Sequence, residues 1–447
     1  MLHRQHQKHA AASRDLHDVN SNTFKSEVYG AFKRFFGAEM SLTTVDHKAH
    51  AFRRRVNAAA LTPSNVRALE DRVTPHVDFL VEAVQEGAPS GGPDKDEGWS
   101  SGKDMAELIS YFIADIMGDV TFSQHWNVQR NIKNRHFVHD LPRGVAGMHL
   151  VGHMQSLFLF NMHKLLFSQL IAGVSSLMNL SRSFANKRLA ETGVHAGRAG
   201  IRGKLMIIGG TDGMITATTG TLFYLLHSPS TLERLTRELR EAFPVPADEG
   251  APCPIRFASQ ELQNVTYLTA CINETMRLSP SVPSILPRKV GPGGIIVDGE
   301  PFPAGTDLGI PHYSLHRNAE VFPEPLTYKP ERWMPGELSV KAESGAKLTA
   351  GVGQTFSFTP FGAGRSGSVG KFMAYAEMSY ILARLIWEFD LRLQPGNTLG
   401  EGSGTGVEGR ERKDEFQLYC CMVSQQNGPV VQFRRREDMP VSNIGFV

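Results

Sequence analysis

The residues whose types and spacing best suit a chemical role lie in a glycine-rich stretch, Phe356–Gly370, which reads FSFTPFGAGRSGSVG. Glycines allow backbone N–H groups to approach a bound group closely, and the start of a helix attracts negative charge. The next residues, KFMAYAEMSYILARLIWEF, have the apolar spacing of a helix. Ser368 occupies the expected contact position, so the loop is predicted to hold a hydroxyl against a group bound at the helix start.

Charged residues precede this loop in a fixed order. Glu274 and Arg277, in the sequence E-T-M-R, are spaced i,i+3, so they face the same side of a predicted helix and can pair. Further along come the segments Leu286-Pro287-Arg288, His316-Arg317-Asn318 and Pro330-Glu331-Arg332-Trp333. Each segment alone is a weak signal, because solvated ion pairs are common on helices. The ordered set is far more specific.

The elements that must position these residues are predicted to be mainly helical up to residue 280 and richer in strands afterwards. Apolar periodicity predicts these helices: Lys48–Ala60, a long helix capped by Ser64, Asp104–Met117, Arg202–His227, Ser228–Phe243, Ser259–Leu278 and Lys371–Phe389. Proline and glycine then punctuate short apolar runs such as GGIIVDG, which indicates a small sheet. We expect a weakly ordered arm over residues 1–25 and one domain over 26–447, helical over 26–280 and β-rich over 281–447.

Composition narrows the function classes. The chain has 447 residues, 41% hydrophobic residues and a net charge of +2 without a basic stripe, which argues against a nucleic-acid partner. The cysteines Cys253, Cys271, Cys420 and Cys421 lack metal-ligand spacing and are predicted to be reduced. No metal site is predicted, because His149 and His153 have no acidic or cysteine partner nearby. His3, His6 and His9 indicate a polar arm.

Taken together, these motifs resemble the cytochrome P-450 superfamily, in its membrane-attached fungal branch of secondary metabolism. The resemblance rests on the E-x-x-R helix, the P-E-R-W segment, the loop with its GKFMAYAEM helix start, and the long central helix. It implies a mainly α fold with a small β-rich subdomain, shortened at the N-terminus, and a haem pocket for a lipophilic small molecule. It also implies a buried charge network of Glu274, Arg277 and Arg332.

The same resemblance implies which residues would surround haem. In the loop these are Phe361, Gly364, Arg365, Ser368 and Gly370. Basic residues that match positions contacting the haem propionates are Arg288, His316, His50 and Arg54. Paired cations suit carboxylates.

Departures from the family's loop, F-x-x-G-x-R-x-C-x-G, bear on chemistry. Ser368 stands in the place of the cysteine whose thiolate binds iron, Ser366 stands in the place of the loop arginine, and Arg365 comes one residue early. A thiolate pushes electron density onto iron and favours O–O cleavage, which a hydroxyl cannot do comparably. The loop therefore predicts loss of the oxygen-activating ligand.

The central helix shows a second departure. The family's A/G-G-x-D/E-T-T matches Gly209-Gly210-Thr211-Asp212-Gly213-Met214, so Asp212 is retained while the threonine pair has become Gly213 and Met214. In addition, the family's anchor, first helix and first two strands have no counterpart expected before Tyr29. Exposed edges are therefore expected in the small sheet.

These losses leave three hypotheses for the function of the protein. The favoured one is a redox-neutral pocket enzyme of the cyclase, isomerase or dehydratase type, or an inactive homologue, with haem absent or weakly bound. The second keeps haem, with Ser368 or water as its axial ligand. The third is a non-catalytic scaffold for partner enzymes. Ser281–Leu286 and the central helix are expected to contact the substrate.

The segments Leu205–Leu226 and Leu157–Val174 are interrupted by polar residues and are not predicted to span a membrane. We expect a cytoplasmic protein or one peripheral at the endoplasmic reticulum, with contact to a membrane surface left open.

Overall fold

The computed structural model describes residues 9–30, 41–86, 98–136, 138–140, 142, 144–146, 154, 162–168, 172, 179, 183, 186, 196–248, 251–335, 356–404 and 408–438. His149 and His153, as well as His3 and His6, lie outside these residues. The described helices are α1 His9–His17, α2 His47–Ala60, α3 Pro63–Arg67, α4 Glu70–Gln85, α5 Met105–Phe122, α6 Met162–Leu166, α7 Ala196–Leu226, α8 Pro229–Ala242, α9 Gln260–Asn264, α10 Thr266–Leu278, α11 His312–Leu315 and α12 Lys371–Glu388. Short 3-10 turns lie at Ile132–Asn134, Pro330–Trp333 and Gly364–Ser366.

The strands form small antiparallel sheets. They are β1 Thr23–Lys25, β2 Lys103–Asp104, β3 Arg288–Val290, β4 Ile295–Val297, β5 Glu300–Phe302, β6 Asp307–Leu308, β7 Phe389–Leu393, β8 Tyr419–Cys421, β9 Val423–Gln425 and β10 Val430–Arg435. Their orders are β1-β3-β6, β2-β10-β7, β4-β5 and β8-β9. The prediction of a mainly α fold with a small β-rich part is confirmed.

The core is built around α7, which packs against α5, α10 and α12. The apolar spacing of these helices places side chains such as Phe112, Leu222, Ile272 and Leu385 in one continuous buried cluster. The central helix is therefore held on several sides, and residues on it are positioned by packing rather than by a loop. No helix in the described part of the chain is long and apolar enough to cross a membrane.

Two predicted helices are each divided in the structure. The helix expected after Ser64 begins earlier, because the Thr62 side chain caps α3 and Pro63 fits its first turn, and the break then falls at Ala68 and Leu69. The helix predicted over 259–278 breaks at Val265. This break separates α9, which is mostly exposed, from α10, which is almost wholly buried, so the two segments bury different faces.

The expectation of a weakly ordered arm over residues 1–25 is corrected for the described residues 9–25. Strand β1 pairs with β3, with Thr23 opposite Val290 and Lys25 opposite Arg288. Leu16 of α1 is buried against β4 and the residues around α11. One side of β3 is thus paired with the chain's own N-terminal segment, and β1 and β6 form the two edges of this sheet. Pairing over such a sequence distance leaves no local signal in a polar segment.

Candidate functional site

The glycine-rich loop places Ser368 immediately before α12. The Ser368 N–H donates to the Phe361 carbonyl at 2.7 Å, and its Oγ accepts from the Gly370 N–H at 3.2 Å. The Ser368 residue is exposed. The loop therefore presents a hydroxyl at the start of α12, where backbone N–H groups and the helix dipole favour a negative or electron-rich atom.

Gly364 lets the N-terminal segment close over this loop. Its φ is +58°, and a Cβ at this position would lie 1.9 Å from the His17 carbonyl oxygen at the end of α1. Every residue other than glycine would therefore push α1 away or distort the loop. Residues 9–25, predicted as an arm, form part of the wall of the site.

Two arginines from other elements bind the loop. Arg288 of β3 donates from Nη1 to Ser366 Oγ at 2.9 Å, and Arg54 of α2 donates from Nη1 to the Gly367 carbonyl. Arg365, by contrast, is exposed and lies near His47. Ser366, which stands in the place of the family's loop arginine, thus accepts a hydrogen bond from Arg288.

Lys25, His50, Arg54 and Arg288 form a group that we call the cation cluster. Burial, reinforced by the charges of Arg288 and Arg54, lowers the pKa of Lys25 to about 7. Burial, with the charges of Lys25, Arg54, Arg288 and His47, lowers the pKa of His50 to about 4. Besides burial, only basic groups contribute to these two pKa shifts. No carboxylate therefore relieves the repulsion among the members of the cluster. Lys25, missed by the sequence prediction, joins the cluster because β1 pairs with β3.

The cation cluster fits a carboxylate-bearing ligand. Nε of Arg288 is buried and has no hydrogen-bond partner among the described residues. Nearby, His17 is held neutral: burial first, then the charges of Arg288 and His312, lowers its pKa to about 3. An anion placed here would relieve the repulsion and satisfy unused donors. The propionates of haem meet this requirement.

The residues do not fit the thiolate ligation of haem. Cys271 is buried within α10, where burial raises the pKa of its thiol far above the usual range, and burial raises the pKa of Cys253 to about 11. Cys420 and Cys421 belong to β8. The position at the tip of the loop is held by Ser368. Haem bound here would present iron to a hydroxyl or to water, without the electron donation of sulfur.

His316 does not take part in the cation cluster through any contact described for it. Its ring is fully buried, accepts from the Thr359 N–H through Nε2 at 3.2 Å, and stacks on His312. Burial, then the nearby His312 and Arg277, holds the pKa of His316 well below its usual range. The imidazole is therefore neutral and supports the chain entering the loop, whereas the resemblance implied a cation facing a propionate.

Glu274 lies at the centre of a buried charge network. Its carboxylate accepts from Arg277 at 2.8 and 2.9 Å, from Arg332 Nε at 3.0 Å and from Trp333 Nε1 at 2.9 Å. The backbone N–H of Lys329 also donates to it, at 2.9 Å. Arg277 uses its remaining donors on the carbonyls of residues 316, 325 and 327. The network fixes the Pro330–Trp333 turn ahead of the loop.

Asp212 is a buried acid on α7 whose second oxygen is unused. Oδ2 has no hydrogen-bond partner among the described residues, and burial raises the pKa of Asp212 to about 7. Beside it, Ser281 Oγ donates to the Gly213 carbonyl at 2.9 Å. A Cβ added at Gly213 would lie 3.7 Å from this hydroxyl, while Met214 packs into the core. The sequence predicts Ser281 only as the first residue of a substrate-contact region.

Comparisons with known proteins agree with this arrangement. A family model described as cytochrome P-450 matches residues 202–403. A cytochrome P-450 monooxygenase of Gibberella zeae is 30% identical over 95% of this chain and 97% of its own length. Others from Alternaria alternata and Penicillium oxalicum are 30% and 28% identical, over 93% and 95% of this chain and 83% and 80% of their own lengths. The chain belongs to the cytochrome P-450 family.

Proposed function

We propose that this P-450-family chain has lost thiolate-supported monooxygenation and carries out redox-neutral chemistry on a lipophilic small molecule. The reaction would be a cyclisation, an isomerisation or a dehydration within fungal secondary metabolism, at or near the endoplasmic reticulum. The observation that carries the proposal is Ser368 at the loop tip, with its Oγ bound by the Gly370 N–H.

The second support for this proposal comes from α7. Gly213 and Met214 provide no hydroxyl where the family has a threonine pair. The hydroxyls that bond this turn of α7 are those of Ser281, on the Gly213 carbonyl, and Thr216, on the Asp212 carbonyl. Loss of the iron ligand and of the threonine hydroxyl affects separate steps of oxygen activation. Neither loss affects the binding of an apolar guest, which depends on shape and apolar contact.

Asp212 supplies the acid–base group that redox-neutral chemistry needs. A carboxyl whose pKa lies at about 7 is present in both protonation states at neutral pH. It can therefore protonate one substrate position or remove a proton from another without a cofactor. Ser281, whose Oγ donates to the carbonyl of Gly213, the residue after Asp212, would orient a polar group of the substrate through its free lone pair.

Asp212→Asn is expected to lower the redox-neutral reaction about 10²–10⁴-fold, since an amide can orient a substrate but cannot exchange a proton with it. The substrates to test are the small molecules that accumulate in the producing fungus when the gene encoding this protein is deleted. Purified protein is incubated with them under labelled dioxygen, and products are followed by mass spectrometry. The expected product has the elemental composition of the substrate or lacks one water.

Glu233→Gln, at an exposed position on α8, is the matched control and should leave the rate unchanged. Incorporation of the label into product by the wild-type chain would contradict the proposal. If substrate is not consumed at all, the scaffold reading is favoured instead.

The cation cluster favours a second candidate, a haem protein with Ser368 or water as its axial ligand. Positive charge is concentrated at Lys25, Arg54 and Arg288. The pKa of each is lowered, and no carboxylate of the described residues contributes to these shifts. Such an arrangement is costly unless an anion binds. A Soret band with stoichiometric iron in the purified protein would support this candidate over a haem-free enzyme.

Haem binding is expected to depend on pH in a direction set by Lys25. Its pKa is lowered to about 7, and an incoming carboxylate raises it, so binding above pH 7 takes up a proton. Affinity for ferric haem should therefore be level below pH 7 and fall by up to about tenfold per pH unit above it. Optical titration measures the affinity. Haem dimethyl ester, whose carboxyls are blocked, should bind more weakly and without this dependence; equal behaviour of both ligands would count against the cation cluster as the binding element.

A further inference from the structure

Metal-ligating side chains converge at a corner far from the loop in sequence, between α4 and the end of α5. His76, Asp119 and His125 each offer one ligand atom, and these atoms all lie within 4.8 Å of one another. Asp119 Oδ2 is 3.3 Å from His76 Nε2 and 3.8 Å from His125 Nδ1. One carboxylate oxygen is therefore shared between two imidazoles.

The helix end at Phe122 explains how His125 reaches this place. Ser123 adopts a left-handed conformation with φ +55°, and its N–H donates to the Asp119 carbonyl at 2.7 Å. This is a standard way to end a helix, and it turns the chain back along the preceding turn. Trp126 then packs on Gly118, where a Cβ would lie 2.6 Å from the indole. The backbone of His125 is thereby fixed between two anchored positions.

Arg72 orients the carboxylate without consuming both of its oxygens. Its Nε donates to Asp119 Oδ1 at 3.0 Å, and its Nη2 donates to the same oxygen and to the Asp119 carbonyl. The Oδ2 atom is left facing the histidines. This ion pair plays the part that outer-shell groups play in metal sites, where they hold ligands in place. The guanidinium charge also opposes a cation, so binding of moderate affinity is expected.

We propose that His76, Asp119 and His125 bind a divalent transition metal, with Zn²⁺ as the best representative. Two imidazole nitrogens and one carboxylate oxygen are ligands that zinc accepts, with water completing the coordination. Tetrahedral zinc needs ligand atoms about 3.3 Å apart. The His76–Asp119 distance of 3.3 Å meets this already, whereas the Asp119–His125 distance is 3.8 Å and all three ligand atoms lie within 4.8 Å of one another. The His125 side chain is 72% exposed, so it is the ligand that would turn inward to complete the geometry.

The site lies on elements separate from the loop and the cation cluster. Bound metal would connect α4 to the chain leaving α5 and would stabilise the folded state, because the unfolded chain does not hold these three ligands together. Zinc binding at this site is thus independent of the proposed catalytic function.

Calorimetric titration of the purified full chain with ZnCl₂ tests the site. His125→Ala and His76→Ala should each weaken the zinc affinity by more than the roughly 10–100-fold that loss of an outer-shell partner causes. His125→Ala is the cleaner variant, because the exposed ring makes little contribution to packing. His136→Ala, at another exposed histidine in the same region of the chain, is the matched control and should bind zinc as the wild type does.

A thermal shift separates this site from zinc held by other histidines. Zinc should raise the Tm of the wild type and of His136→Ala, chelator should reverse the rise, and His125→Ala should show none. Equal zinc affinity and equal shifts for the wild type, His76→Ala and His125→Ala would overturn the proposal.

Discussion

Replacing Glu274 by glutamine is expected to lower the free energy of unfolding by about 3–5 kcal/mol, the usual cost of removing one partner from a buried ion pair. Glutamine keeps the shape of the side chain but loses its charge, and its amide group is a donor facing other donors. Arg277 and Arg332 would each remain buried beside it, with side chains at most 2% exposed. Two cations would thus be left without their shared counter-charge.

The physical reason is that one carboxylate serves several buried donors at once. Glu274 receives the guanidinium of Arg277, Nε of Arg332 and the indole N–H of Trp333. Since a buried donor that loses its acceptor costs its full desolvation, the losses accumulate. Native domains have a free energy of unfolding of only about 5–15 kcal/mol, so a large fraction of the Glu274→Gln protein is expected to be insoluble or aggregated.

The measurement is denaturant or thermal unfolding of Glu274→Gln beside a matched variant. Glu238→Gln removes a carboxylate that pairs with Arg234 four residues away on the surface of α8. Exposed pairs of this kind contribute up to about 1 kcal/mol. Similar stabilities for the two variants would show that the buried network is not what holds this region.

The network also bears on the loop. Trp333 packs on Phe358, with ring centroids 4.4 Å apart, and Phe358 packs in turn on His316. His316 accepts the Thr359 N–H at the entry to the loop. Loosening Glu274 is therefore expected to disorder the position of Ser368 as well as to destabilise the fold.

Ser368→Cys is expected to restore thiolate ligation without restoring hydroxylation. A cysteine at the start of α12 would have its pKa lowered by the helix terminus and would present sulfur at the loop tip. Proton delivery would still lack the hydroxyl absent at Gly213, and positioned proton transfer contributes about 10²–10⁴-fold to a rate. The double variant Ser368→Cys, Gly213→Thr should exceed the single variant by about that factor.

The experiment loads each variant with haem, records the absorption spectrum, and follows oxygen-dependent product with an electron donor present. Ser366→Cys is the matched control: it places a thiol in the same loop, two residues from the tip, and should give neither the thiolate spectrum nor product. A Cβ added at Gly213 would make ordinary van der Waals contact with Ser281, at 3.7 Å, so the first side-chain atom of threonine is accommodated. Oxygen-dependent product from Ser368→Cys alone, at the rate of the double variant, would refute the role assigned to Gly213.

The sequence alone determined the features that depend on neighbouring residues. The i,i+3 spacing of Glu274 and Arg277 predicts a pair on one helix face, and the apolar periodicity after Gly370 predicts α12. The glycines of the loop and Ser368 are likewise recognised directly in the amino-acid sequence. These patterns carry the fold class because helix periodicity and turn chemistry are local.

Only the tertiary structure decided which distant residues meet. It brings Lys25 to Arg288 through β1 and β3, and it sets the hydroxyl of Ser281 on the Gly213 carbonyl. It also packs the end of α1 against Gly364 and buries His316, so that its imidazole is neutral. Such contacts arise from packing and strand pairing between segments far apart in the chain, and their energies are not written in the spacing of any one segment. For this reason the hydroxyl at the loop tip can be predicted from Ser368, whereas the place of Lys25 in the cation cluster cannot be predicted from the sequence around it.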